Sequence, residues 1–91
     1  MEGKYTLEEA KIKALIEEAK NKGFDEFSVK PITWMHEPWF RLNWRFKNIK
    51  GYFDVSQATF KVCENRIILK EISRDIRLWK RLILSQLFIV Y

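Results

Sequence analysis

The chain has 91 residues, with 17 Lys and Arg against 12 Asp and Glu and a formal net charge of +5. At 47% hydrophobic and 32% charged it fits a single small domain spanning residues 1–91 and excludes a disordered tail. One Cys and one His exclude a disulfide framework and a four-ligand zinc site, and predict a reducing, cytoplasmic setting.

The N-terminus is acidic and polar, unlike the basic-then-apolar start of a signal peptide. Thr6 and Glu9 form a capping-box pattern that predicts a helix from Leu7 to Lys22. Ile12, Leu15, Ile16 and Ala19 recur at helical spacing and give it one apolar stripe. Gly23 supplies a left-handed stop, and Phe24 is placed to fold back on the last turn.

Beyond Gly23 the hydrophobic period changes from 3.6 to 2. Phe27 and Val29 begin a strand that Pro31 bends or confines to an edge, with Ile32 and Trp34 continuing it on the other face. Residues 35–38 read as a loop. From Trp39 to Lys47 the alternation is clean. Phe40, Leu42, Trp44 and Phe46 point to a core, and Arg41, Asn43, Arg45 and Lys47 point away from it. A turn over 48–51 leads to a returning strand from Tyr52 to Ser56.

Residues 56–72 admit two readings. As a helix, Phe60, Cys63 and Ile67 share a face. As a hairpin, residues 59–62 pair with residues 67–72, and the β-branched content of Ile67–Leu69 favours this reading. Val55-Ser56-Gln57-Ala58-Thr59 is similar to the opening of the recognition helix in helix-turn-helix repressors. That pattern has a small residue where Lys50 stands and Gly where Asp54 stands, and Tyr52-Phe53 reads better as strand. A final helix is expected from Arg74, with Ser73 as its N-cap. Its buried face would run Ile76, Trp79, Leu82, Ile83, Leu87, Val90, with Arg74, Arg77 and Arg81 opposite and Lys70 one turn upstream. The segment Leu82–Tyr91 is far shorter than the roughly 20 apolar residues that span a bilayer, so no membrane span is expected.

The resulting fold class is α+β, ordered α-β-β-β-(β)-α. It has a small antiparallel sheet of three to four strands flanked by an N-terminal and a C-terminal helix. That order is similar to several small nucleic-acid-binding folds. The chain lacks both the Gly/Lys signature of double-stranded-RNA domains and the aromatic RNP motif.

No catalytic constellation is evident. The glycines at 3, 23 and 51 cannot form a phosphate loop, and the acid pairs flank a solvated helix. Cys63 and His36 in principle offer a nucleophile–base pair, and each reads more simply as structural or exposed. Neither an enzyme nor a cofactor or metal is expected.

What the sequence does offer is charge and aromatic rings. Residues 1–30 carry six Lys against seven acids, whereas residues 31–91 carry eleven Lys and Arg against five acids, including all six Arg. A field gathered on one region attracts an anionic partner. The expected function is a non-catalytic nucleic-acid-binding module. Arg41, Arg45 and Lys47 on a strand, with Arg74, Arg77 and Arg81 on a helix and Lys70 one turn upstream of it, would contact backbone phosphate. Trp34, Trp39 and Tyr52 are the rings expected to be partly exposed. In composition the chain also resembles small phage and mobile-element proteins, among them anti-CRISPR blockers of host nucleases. That resemblance implies an alternative, an inhibitor or adaptor of a host protein or nucleoprotein complex, with Trp39, Phe88 and Tyr91 at protein interfaces. The run Leu87–Tyr91 has more apolar side chains than one helix face can bury, which predicts a homodimer or, as the alternative, a last turn that leaves the helix and lies as a strand along the sheet edge.

Overall fold

The structure, a computed structural model, describes residues 7–89, and side chains within residues 8–78. Helix α1 spans Leu7–Asn21 and buries the predicted stripe, with Leu15 and Ala19 fully enclosed and Ile12 and Ile16 half-buried. Its end is a Schellman motif: Gly23 N–H donates to the Lys20 carbonyl at 3.0 Å and Phe24 N–H to that of Ala19 at 3.1 Å. Gly23 stands at φ +100°, a conformation a Cβ resists, and the turn delivers Phe24 into the core. The predicted cap at Thr6 lies outside the described residues.

Three antiparallel strands follow, β1 Glu26–Trp34, β2 Glu37–Phe46 and β3 Ile49–Ser56, in the order β1-β2-β3. Both connections are two-residue turns, shorter than the loops expected at 35–38 and 48–51. Met35 and His36 take φ of 51° and 64°, and Lys47 takes 57°, left-handed values that match the twist of tight hairpins. Glu37 and Pro38 therefore belong to β2 and Ile49–Gly51 to β3. Pro31 lies in edge strand β1, opposite Phe40, where the missing donor is tolerated.

The region 56–72 is helical, which corrects the hairpin reading and leaves the sheet at three strands. Helix α2 spans Gln57–Val62 and is capped by Ser56, whose Oγ accepts from Thr59 N–H at 3.1 Å. Helix α3 spans Asn65–Ile89, so Ser73 is a mid-helix residue and not an N-cap. Of the β-branched pair that favoured a strand, Ile67 is 40% exposed and Ile68 is buried, and Val62 in the other proposed strand is 83% exposed. The buried set is Ile68, Leu69, Ile72 and Ile76. Two consecutive buried residues suit a helix face and not a half-buried strand, and packing outweighs local propensity here. The helix-turn-helix likeness fails on the same ground, because residues 49–56 are strand where that motif needs its first helix and turn.

All three helices lie on one face of the sheet. Phe27, Phe40, Leu42, Trp44 and Val55 meet Leu15, Ala19, Phe24, Phe60 and the α3 set in one core. Edge-to-face contacts, such as Phe40–Phe60 at 5.0 Å and Phe24–Phe27 at 5.6 Å, order its rings. Asn65 ties α3 to α1 by donating to the Lys11 carbonyl at 3.2 Å, and the Lys11 ammonium donates to the Cys63 carbonyl. No helix among the described residues is long and apolar enough to cross a membrane.

Candidate functional site

The helices occupy one side of the sheet, and no described element covers its other face. Strand alternation and register decide what that face carries. Across the three strands it reads in rows: Glu26, Arg45 and Lys50; Ser28, Asn43 and Tyr52; Lys30, Arg41 and Asp54; Ile32, Trp39 and Ser56; and finally Trp34 with Glu37.

Two ion pairs organise the charges. Arg41 makes a bidentate pair with Asp54, Nε and Nη2 each 2.9 Å from a carboxylate oxygen. That hydrogen bond raises the already high pKa of Arg41, which stays charged at any physiological pH. Arg45 reaches Glu26 at 3.1 Å. Lys30 and Lys50, on the two outer strands, have no ion pair among the described residues.

Rings stand among these charges. Tyr52 is 58% and Trp34 57% exposed. The Arg41 guanidinium lies over Tyr52, 4.3 Å from the ring centroid, and Trp34 meets the half-buried Trp39 edge-to-face at 5.5 Å. Two shallow hollows adjoin. One, of about 570 Å³, is lined by Ile32, Trp34, Trp39, Arg41, Tyr52 and Asp54. The other, of about 380 Å³, is lined by Ser28, Asn43, Lys50 and Tyr52 with Glu26, Trp44 and Gly51. Tyr52 is common to both.

The residues expected to bind phosphate fall into separate groups. Arg41 and Arg45 belong to the open face. Lys47 sits in the β2–β3 turn, its ammonium 5.5 Å from the Phe46 centroid. Lys70, Arg74 and Arg77 are exposed on α3, in the helical layer, with Arg74 paired to Glu71 at 3.1 Å. The side chains of Arg81, Phe88 and Tyr91 lie outside the described residues, and with them the dimer contact expected there. The structure does not bring the strand and helix arginines onto one surface. Sequence reasoning left Lys30, Lys50, Ser28 and Asn43 out of the site. Asn43 shares β2 and its outward face with Arg41, whereas Ser28 and Lys30 in β1 and Lys50 in β3 join Arg41 only once the register is known.

His36 is exposed in the β1–β2 turn, and Cys63 is half-buried at the end of α2 against the core. No group of three or more His, Cys, Asp or Glu among the described residues is placed to hold a metal ion. No family model matches the chain, and neither a curated protein nor a solved structure matches it.

Proposed function

We propose that the protein is a non-catalytic nucleic-acid-binding module that uses the uncovered face of its sheet. The observation that carries this reading is the composition of that face. Lys30, Arg41, Arg45 and Lys50 stand on three adjacent strands around exposed aromatic rings, with no element packed over them among the described residues. Cations neutralise phosphates and release counterions, and hydrogen-bonding groups between them fix orientation. The exposed row Lys70, Arg74 and Arg77 on α3 offers a second, separate contact to backbone. A lone unpaired cysteine is in keeping with action in the cytoplasm.

The test is the salt dependence of binding to labelled DNA and RNA. Log K should fall linearly with log salt, and reversing Lys30 and Lys50 to Glu should weaken binding and flatten the slope by about two charges. Full retention of affinity in that variant would overturn the assignment to this face.

A second reading rests on a specific feature, the exposed cluster of Trp34, Met35 and Tyr52 beside Trp39. Aromatic anchors of this kind dominate protein interfaces, so an inhibitor or adaptor docking on a host protein is the alternative. Absence of nucleic-acid affinity at low salt would favour it.

A further inference from the structure

We infer that the open face recognises single-stranded nucleic acid by stacking unpaired bases on Tyr52 and Trp34. The inference rests on the nucleic-acid reading and deepens it, since phosphate contact alone would serve a duplex equally well.

Three observations point to exposed bases. First, the rings are presented and held. Tyr52 and Trp34 are each more than half exposed, whereas the other described rings of the strands are buried or half-buried. Arg41 covers Tyr52 from the side of the larger hollow and is itself held by Asp54, so Tyr52 is supported on that side. Trp34 is braced by the edge-to-face contact with Trp39. A ring fixed before binding loses little freedom when a base stacks on it.

Second, the surroundings of Tyr52 suit the edge of a base. The smaller hollow places Ser28 and Asn43 beside the ring, both able to donate and accept hydrogen bonds, with Lys50 at its margin. Bases offer both donors and acceptors on their edges. The carboxylates on the face are mostly occupied: Asp54 by Arg41 and Glu26 by Arg45. Glu37 lies at the Trp34 end, which directs phosphate toward the Lys30 and Lys50 part of the face.

Third, the geometry disfavours a duplex as the partner of these rings. Paired bases hide their faces in the stack, and a sheet three strands wide spans about 10 Å between its outer strands. A major groove about 12 Å wide admits a helix or a two-stranded ribbon, and a third strand with projecting aromatics overfills it. A single strand lies across such a face with its bases turned onto the rings, as stacking platforms in general require.

The test uses the full chain and four labelled 12-mers: oligo(dT), oligo(rU), an abasic strand of equal charge, and a duplex. Fluorescence anisotropy at fixed low salt should show the base-bearing strands bound at least about ten-fold more tightly than the abasic strand. Tyr52→Ala and Trp34→Ala should each lose about ten-fold affinity for oligo(dT) and little for the abasic strand, while Tyr52→Phe keeps the ring and the affinity. Circular dichroism verifies that these surface variants remain folded. Equal binding of abasic strand, duplex and oligo(dT) would overturn the stacking inference and leave the phosphate-binding reading intact. No binding of any probe would overturn both and leave the face as a protein-docking surface.

Discussion

Trp44 and Gly51 are partners across β2 and β3, and the indole lies where any larger residue would place its side chain. A Cβ on residue 51 would sit 2.5 Å from Cζ2 of Trp44, inside contact distance of a ring packed in the core. Gly51→Ala is expected to lower the free energy of urea unfolding by about 1–3 kcal/mol, the usual cost of overpacking. An unchanged midpoint would mean the ring has room to move. Asp54 answers to different physics. Its pair with Arg41 is partly solvated, with side-chain exposures of 30% and 38%, and such pairs contribute little to stability. Asp54→Ala should therefore change stability little. It removes the anion that neutralises Arg41, so affinity for polyanions should rise and the salt slope should steepen by about one charge. A titration of binding against salt, run beside a denaturation curve, separates the two effects. The clean alternation from Phe40 to Lys47 made the outward aim of Arg41 and Arg45 legible in the sequence. Their pairing with Asp54 and Glu26 was not, because register depends on two turns whose lengths are set by unusual residues.

Those turns and the α2 cap are where single elements are open to test. Met35 and His36 both hold left-handed backbone, which costs L-residues other than Gly and Asn roughly 1–2 kcal/mol each. Replacing them together, Met35→Asn with His36→Gly, supplies the residues this turn prefers. A gain of about 1 kcal/mol in unfolding free energy is expected, and a loss would show that the wild-type pair contributes something beyond turn geometry. At the same end of the sheet Ser56 closes β3 and opens α2 through its bond to Thr59 N–H. Ser56→Ala should cost about 1 kcal/mol, read from the thermal midpoint. Element type was legible wherever pattern and punctuation agreed: α1 with its stripe and Gly23, and β2 with its period of two. It was not legible across 57–72, where Val62 and Ile67 are apolar yet exposed. The core positions Phe60, Ile68, Leu69 and Ile72 emerge only from the helical face. No local signal marks which apolar residues a neighbour will cover.

At the scale of the whole chain, the α+β order was readable from the succession of periods, and the division into one covered and one open sheet face was not. Two basic groups that look continuous in sequence are parted by the sheet itself, so mutations in them should act independently on binding. In the same layering α3 is seated, among the described side chains, through Ile68, Leu69, Ile72 and Ile76. At 25 residues it is about 37 Å long, and the molecule extends 62 × 33 × 18 Å with a radius of gyration of 15.4 Å. A compact chain of this length would measure about 12 Å. Small-angle scattering should return the larger value and a distance distribution reaching toward the long dimension, and a value near the compact one would mean α3 folds back in solution. The consequence is hydrodynamic. A rod-like protrusion raises the frictional drag on a single 11.1 kDa chain, so it elutes from a sizing column ahead of globular standards of its own mass. An early peak is what one copy already gives, and only equilibrium sedimentation, which weighs without regard to shape, distinguishes it from two.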